Sequence, residues 1–272
     1  MFVTHMQTPA VDLAGKAAEA LAREIISGRI APENPLPKET DLVKQFAISR
    51  ATLRSSLQTL ESVGLINRVS GHGTFVRPHS DWAFLSPVLS RWISAFAPPR
   101  PPFLRDIISF RLSNEPIIAM IAARLARGRD LQDMEDAFAG MSAHAFDPRD
   151  PDESFTSFDR YDLAFHQAIY RATGNLIWTQ MTPIIEPAIR LVIHQSNTEA
   201  DELRDSLNRH GELLIHIRRQ NAAGAHAAAL DILRRTAQDL GISLELVPSA
   251  QACLVIDGQI PAVLTPKYPD DQ

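Results

Sequence analysis

Apolar residues in the first 80 positions recur at helical spacing in three short stretches. The first stretch predicts an amphipathic helix that ends before Gly28, and the second predicts a short helix over residues 41–46. In the third stretch Leu53, Leu57 and Leu60 fall at i, i+4 and i+7, which places them on one buried face. The pattern therefore predicts three helices joined by short turns.

The third helix has signals at both ends, and a turn signal follows it. Ser49 can cap its start, because a serine hydroxyl accepts a hydrogen bond from a backbone N–H that has no helical partner. Gly64 ends the helix. Further on, Gly71 and Gly73 permit a tight turn between two short strands. The order of helix, turn, helix and two-stranded wing predicts a winged helix-turn-helix.

From Phe103 onward the apolar periodicity is helical almost throughout. The predicted helices run over residues 103–127, 131–145, 154–173, 177–196, 199–220 and 222–240. Pro116 should kink the first of them, and Pro183 and Pro187 the fourth, because proline cannot donate the helical hydrogen bond. The fold class is therefore mainly α, with an N-terminal winged helix-turn-helix and a C-terminal all-α helical bundle.

These patterns divide the chain into five segments. The segments are a loose arm over residues 1–10, the winged domain over 11–77, a linker or docking segment over 78–102, the helical domain over 103–240 and an extension over 241–272. The segment around Trp82 is too apolar to be a free tether, so we expect it to dock. The β-branched tract after Gly241 could form a hairpin of unassigned role.

The charge distribution separates the two predicted domains. The chain has 272 residues and a net charge of −5, yet residues 1–80 hold nine Lys/Arg and seven Asp/Glu, a net of +2, and the rest holds −7. Positive charge is concentrated where a polyanion such as DNA would bind.

The remaining composition bears on where the protein works. Cys253 is the only cysteine, which excludes an intramolecular disulfide. The first residues show no signal-peptide pattern, and no apolar run approaches the roughly 20 residues of a membrane span. We therefore expect a cytoplasmic protein that does not contact a membrane.

Arg50 and Arg54 lie four residues apart on the exposed face at the start of the third helix. In helix-turn-helix proteins that part of the helix contacts base edges and phosphates. The alternative is that both arginines are ordinary solvent-exposed residues with no role in DNA binding. Lys38 and the wing tip are placed for phosphate or minor-groove contact. The predicted DNA-contacting residues are Lys38, Thr40, Ser49, Arg50, Thr52, Arg54, His72, Gly73 and Thr74.

Three motifs occur in order over residues 11–77: Leu36-Pro37-Lys38-Glu39, then Ile48 through Arg54, then Gly71-His72-Gly73-Thr74-Phe75-Val76. In this order and spacing the region resembles the N-terminal domain of the GntR family of bacterial transcription regulators. Two positions depart from the family pattern, Glu33 in place of a glycine and Ser70 in place of a basic residue. The resemblance implies a homodimer that binds pseudo-palindromic, double-stranded operator DNA.

Candidate metal chemistry concentrates in one of the C-terminal helices. Asp162 and His166 stand at i and i+4, so they project from one helix face and are close enough to share a cation. His210 lies on a later helix, where it too can point inward. Such an Asp–His pair is common, however, and can be incidental.

Residues 103–240 resemble the all-helical FCD effector domain of the FadR-type GntR regulators. The shared marks are Arg111, Glu115, the Asp162-to-His166 motif, Thr173-Gly174-Asn175 and His210. In that subfamily one Asp and three His hold a divalent ion at the floor of a carboxylate-binding pocket.

Three of the four family ligands have counterparts in this chain, namely Asp162, His166 and His210. Ile232 stands where the fourth, a histidine, is expected. The resemblance therefore implies either a three-ligand site for zinc, nickel or manganese, or an effector pocket without metal.

Arg111 and Arg190 are candidate clamps for the carboxylate of an effector, because a planar guanidinium pairs bidentately with a carboxylate. Asn175, one of the family marks, completes the predicted effector-binding set. The helical domain looks most like regulators of sugar-acid catabolism. Hydroxy acids such as lactate, and acyl thioesters, stay open as other effector classes.

The sequence thus predicts a ligand-responsive transcription regulator, a repressor, with no enzymatic activity. The rival hypothesis is a metal-dependent, hydrolase-like helical enzyme fused to a DNA-binding module. Near the Asp–His pair in the sequence we find no glutamate comparable to the base of a helical zinc hydrolase motif, and the chain has no nucleophile elbow and no phosphate loop, so the regulator is favoured.

Overall fold

The computed structural model describes residues 12–98, 101–145, 157–187 and 200–242. The helices are α1 (Leu13–Ile26), α2 (Glu39–Phe46), α3 (Arg50–Ser62), α4 (Pro87–Phe96), α5 (Leu104–Leu125), α6 (Gly128–His144), α7 (Ser157–Ala172), α8 (Leu176–Gln180), α9 (Ala200–Arg218) and α10 (Ala222–Asp239), and the strands are β1 (Ile66–Val69) and β2 (Gly73–Val76). The chain divides into two compact units between Pro98 and Pro99. Within the described ranges, no helix is both long enough and apolar enough to cross a bilayer.

The first unit is a winged helix-turn-helix. Helix α3 packs on α1 through Leu53 and Leu57, both fully buried, and the Ser56 hydroxyl donates a hydrogen bond of 2.8 Å to the carbonyl of Ala14. Strands β1 and β2 pair antiparallel. The chain before α2 lies along β2, where the N–H of Leu36 donates to the carbonyl of Thr74 at 2.8 Å. The start of α2 is thereby attached to the wing.

Residues 78–98 of the predicted docking segment belong to this first unit. The indole N–H of Trp82 donates to the carbonyl of Arg77 at 3.1 Å, and the N–H of Ala83 donates to the carbonyl of Val63 at 3.0 Å. Helix α4 packs on α1, and the Arg23 guanidinium lies 4.7 Å from the centre of the Phe96 ring. Burial of the apolar residues explains why the sequence there is too hydrophobic for a free tether.

The second unit is a helical bundle. Helix α5 packs on α10 and α6 packs on α7, while α9 contacts α5, α6 and α10. Phe165 and Ile169 of α7 meet Leu213 of α9 and Ala225 of α10 in one apolar core. These residues recur three or four positions apart on their helices, so each helix buries a single stripe. Pro116 is buried inside α5, which continues through it.

The prediction of one helix over residues 177–196 is wrong in its first part. Helix α8 ends at Gln180, and a 3-10 turn over Thr182–Ile184 follows. Pro183 has no N–H to donate, which favours an interruption here over a continuous helix. Residues 188–196 of that predicted helix, the arm and the hairpin after Gly241 lie outside the described residues.

Candidate functional sites

The N-terminus of α3 is built by a local cap. The Ser49 hydroxyl accepts a hydrogen bond from the N–H of Thr52 at 3.0 Å, and it lies 2.7 Å from the Thr52 hydroxyl. This cap satisfies an N–H that the helix leaves unpaired and fixes where the helix begins. It thereby aims Arg50 and Arg54, both exposed, away from the buried Leu53–Leu57 face.

The arginines of the first unit differ in what they contact. Three arginines form ion pairs: Arg29 with Glu24, Arg68 with Glu61 and Arg77 with Asp81. Arg50 and Arg54 make no ion pair within the part of the chain that the structure describes. Their positive charge is therefore available to an external anion, such as a phosphate, or to a base edge.

The other predicted DNA-contacting residues lie on the α2 start and the wing. Lys38 and Thr40 are exposed at the first turn of α2, and His72 and Gly73 are exposed at the wing tip. Thr74 is the exception, because it is 9% exposed and its carbonyl is taken by Leu36 within the sheet. Thr74 therefore presents little side-chain surface to DNA.

Asp162, His166 and His210 converge in the second unit. Asp162 Oδ1 lies 3.4 Å from His166 Nε2 and 3.1 Å from His210 Nε2, and the two Nε2 atoms are 3.4 Å apart. All three side chains are buried. The first two come from one face of α7, and the third comes from α9, 44 residues further along. Helix packing thus builds a triangle of three ligand atoms.

The size of this triangle suits a metal ion. Bonds of roughly 2.0–2.1 Å at tetrahedral angles place ligand atoms about 3.3 Å apart, close to the three distances measured here. Within the described residues, the buried Asp162 Oδ1 has ion-pair contacts with the two imidazoles but no hydrogen bond of good geometry. A metal ion would supply the bonded partner that a buried carboxylate oxygen needs. The described cluster therefore fits a divalent ion bound by one carboxylate and two imidazoles.

The far sides of both imidazoles face acceptors. His210 Nδ1 donates to the carbonyl of Ser206 at 2.7 Å. His166 Nδ1 lies 3.5 Å from Glu115 Oε2, and Glu115 is itself paired with Arg111 at 2.6 Å. A hydrogen on Nδ1 leaves the lone pair on Nε2, which is the atom that faces the triangle.

Asp162 and His210 favour each other's charged forms. Burial raises the pKa of Asp162, but the facing imidazoles of His210 and His166 outweigh burial and hold that pKa well below its usual range. Burial lowers the pKa of His210, but the Asp162 carboxylate outweighs burial and raises it. A proton on His210 is therefore favoured by the carboxylate, and a metal ion that binds here would compete with that proton.

Of the predicted effector-binding residues, the two that the structure describes, Arg111 and Asn175, both have partners within the protein. Arg111 is 2% exposed and its guanidinium is held by Glu115, so it does not present a free clamp. Asn175 is the cap of α8, where its Oδ1 accepts from the N–H of Ile177 at 2.9 Å and from that of Trp178 at 3.1 Å. Arg190 lies outside the described residues. Ile232, which stands where the family has its fourth histidine ligand, is buried in the apolar core.

A small cavity adjoins the centre. It has room for about one water molecule and is lined by Glu115, Ile118, Ala119, His166, Ile169, Tyr170, Leu213 and Ala229. The Tyr170 hydroxyl is buried and has no hydrogen-bond partner of good geometry. Burial and the Glu115 carboxylate raise the pKa of Tyr170, so its hydroxyl stays protonated. Tyr170 is not among the site residues predicted from the sequence, although it follows His166 by four residues, a spacing that places both on one face of α7.

Comparisons with known proteins match both units. The family "Bacterial regulatory proteins, gntR family" matches residues 13–76, and the FCD domain matches residues 106–235. The galactonate operon transcriptional repressor of Escherichia coli (strain K12) is 28% identical over 222 residues, which cover 81% of this chain and 93% of that protein. The transcriptional repressor NagR of Bacillus subtilis (strain 168) is 45% identical over 58 residues, covering 21% of this chain and 24% of that protein.

A solved structure extends the comparison to the fold. The Listeria monocytogenes regulator Lar, described as controlling expression of the agr system, superposes with a TM-score of 0.61 at 13% identity. The match covers 86% of this chain and 98% of that one. At this identity the likeness supports the arrangement of helices and strands alone.

Proposed function

Because this chain belongs to the GntR family of bacterial transcription regulators and has an FCD domain, we propose that it represses an operon for the catabolism of a sugar acid. The first unit binds operator DNA through α3 and the wing. The second unit binds the effector at a divalent metal held by Asp162, His166 and His210. The convergence of these three ligand atoms is the observation on which the proposal depends.

The charge around the centre favours an anionic effector. Arg111, Glu115 and Asp162 together hold one excess negative charge when both histidines are neutral, and a divalent ion turns this into one excess positive charge. A buried excess charge is costly unless a counter-charge accompanies it. An effector carboxylate would supply that counter-charge, and an adjacent hydroxyl could take a second open position of the metal.

A sugar acid has both of these groups. The similarity to the galactonate operon repressor extends over both domains, which supports this class of effector over a long-chain acyl thioester. Small hydroxy acids such as lactate have the same carboxylate and hydroxyl, so they serve as the comparison compounds.

The active species in this proposal is a homodimer. A twofold dimer presents two copies of α3 to a pseudo-palindromic operator, one to each half-site. The effector acts by binding one arrangement of the DNA-binding units more tightly than another. Helix α5 is the element suited to transmit this difference, because it starts at Leu104, just after the boundary between the units, and holds Glu115 beside His166.

The test combines DNA binding with effector and metal. An operator is first selected from a random DNA pool with the purified full-length protein, and DNA release is then titrated by fluorescence anisotropy with a panel of sugar acids and hydroxy acids. We expect one sugar acid to release the DNA, and we expect a chelator to abolish the response. Operator binding that no sugar acid alters would overturn the effector class, and an unchanged response in chelator would overturn the metal.

Variants of two histidines on α9 sharpen this test. His210→Ala should retain operator binding but lose both the bound metal and the effector response, because it removes one of three ligands. His216→Ala is the matched control, since His216 lies on the same helix and contacts Asn221 instead. An effector response in His210→Ala equal to that of wild type would place the effector site elsewhere.

A further inference from the structure

Glu115 occupies a position behind His166 that the family resemblance assigns no role. Its Oε2 lies 3.5 Å from His166 Nδ1, on the side of the ring that faces away from Asp162 and His210. Within the described part of the chain, Nδ1 of His166 has no other polar partner. Glu115 and His166 are both buried, so bulk water is a poor substitute for this carboxylate.

Arg111 holds Glu115 in place. The guanidinium donates to Oε1 at 2.6 Å and to Oε2 at 3.3 Å, one turn earlier on the same helix. The two side chains are 2% and 5% exposed, so each is the charge partner of the other. Because Arg111 is paired with Glu115, its guanidinium is not available to bind an effector carboxylate.

We propose that Glu115 is a positioning residue of the metal centre, which accepts the Nδ1–H of His166 and so directs Nε2 at the ion, and that Arg111 fixes Glu115 for this task. The proposal rests on the metal centre proposed above. A carboxylate behind a ligating imidazole sets the ring orientation and the tautomer, and it raises the basicity of the ligand. The Arg111–Glu115 pair on α5 thus orients a ligand of the ion and is not itself a ligand.

Tyr170 and the small cavity belong to the same arrangement. Tyr170 lines the cavity together with Glu115 and His166, and its hydroxyl is buried.

Single substitution of Glu115 would leave Arg111 buried and unpaired, which risks unfolding. The test therefore uses two double variants, Arg111→Met with Glu115→Gln and Arg111→Met with Glu115→Met. Both variants lack the buried charges of Arg111 and Glu115. In one of them the glutamine side chain still offers an oxygen that can accept the Nδ1–H of His166, whereas the methionine in the other does not. Zn²⁺ affinity is measured by competition with a chromophoric chelator, and Co²⁺ loading is followed by its visible absorption.

We expect the Glu115→Met double variant to bind Zn²⁺ roughly 10–100-fold more weakly than its Glu115→Gln counterpart, with a changed Co²⁺ spectrum. Equal affinities and spectra in the two variants would overturn the positioning role and leave the metal centre intact. Failure of the wild-type protein to bind Zn²⁺ would instead refute the metal centre itself.

A second measurement needs no variant. In the Zn²⁺-loaded wild-type protein, long-range ¹H–¹⁵N NMR should show His166 protonated at Nδ1, with that proton slow to exchange with solvent. Coordination of the ion through Nδ1, or rapid exchange of the Nδ1 proton, would overturn the proposal.

Discussion

Arginine has two opposite uses in this protein, and the surroundings of each side chain decide between them. Arg50 and Arg54 are exposed and unpaired within the described residues, so their guanidinium groups are free to meet DNA. Arg111 is buried against Glu115 and acts inside the helical bundle. The same residue type is therefore placed for contact with an external anion at one site and for internal support at another.

Replacing Arg50 by alanine should weaken operator binding by about 1–3 kcal/mol per half-site, because a bidentate contact to a base is lost. Discrimination between operators should also relax. Fluorescence anisotropy titrations at fixed salt measure both effects. Arg29→Ala is the control, since Arg29 is also exposed but is paired with Glu24. Unchanged operator affinity in a combined Arg50→Ala, Arg54→Ala variant would contradict the assignment of α3.

The affinity for metal should depend strongly on pH. The Asp162 carboxylate raises the pKa of His210 in the metal-free protein, so a proton competes with the ion up to a higher pH than for an ordinary histidine. Apparent Zn²⁺ affinity should therefore fall as pH drops below this raised pKa and level off above it. Competition titrations between about pH 5.5 and 8.5 test this, since the window surrounds the ordinary histidine pKa. A flat profile would speak against His210 as a ligand.

At the scale of elements, the turn before α2 shows how one residue can depart from a family pattern without loss of the fold. Glu33 replaces a glycine and adopts φ +67°, a left-handed conformation that disfavours side chains with a Cβ atom. Its N–H nonetheless donates to the carbonyl of Val76 at 2.8 Å, which holds the turn against the wing. The hydrogen bonds of the wing therefore maintain a conformation that the residue type opposes.

Glu33→Gly should stabilise the protein by roughly 0.5–1 kcal/mol, since the left-handed strain is removed. Glu19→Gly, an identical chemical change at an exposed position inside α1, should destabilise it by a similar amount because glycine weakens a helix. Denaturant unfolding of the full chain measures both variants. The same sign of change in the two variants would refute the strain at Glu33.

At the scale of the whole molecule, the two units differ in which charged residues they expose and which they bury. The boundary between them lies at Pro98–Pro99. The first unit concentrates exposed, unpaired arginines on α3, and the second buries the Asp–His centre. We therefore expect the first unit to contact DNA and the second to dimerise, and these two properties can be measured separately.

The full chain should sediment as a dimer at micromolar concentration, because two copies of the winged unit are needed for a palindromic site. A fragment of residues 12–98 should sediment as a monomer and bind operator DNA much more weakly, since it lacks the bundle. Analytical ultracentrifugation of both proteins tests this. A monomeric full chain, or a dimeric fragment, would contradict the assignment of dimerisation to the second unit.

The sequence by itself determined the features that depend on a few neighbouring residues. The Ser49 cap, the buried Leu53–Leu57–Leu60 stripe and the wing follow from local hydrogen bonding and periodicity, and the structure confirms the mainly α fold. The i, i+4 spacing of Asp162 and His166 likewise placed them on one face of α7. Matching to known family motifs then identified the two domains.

The tertiary structure alone decided which distant groups meet. It brought His210 within 3.4 Å of His166, paired Arg111 with Glu115 rather than leaving it open, and gave Tyr170 a buried place beside both. It also buried Thr74 and broke the helix expected after Ile177. Periodicity states which face of a helix is buried but not which residue of another helix lies against it. That choice depends on how helices separated by tens of residues pack, and the partner of a buried charge is fixed only there.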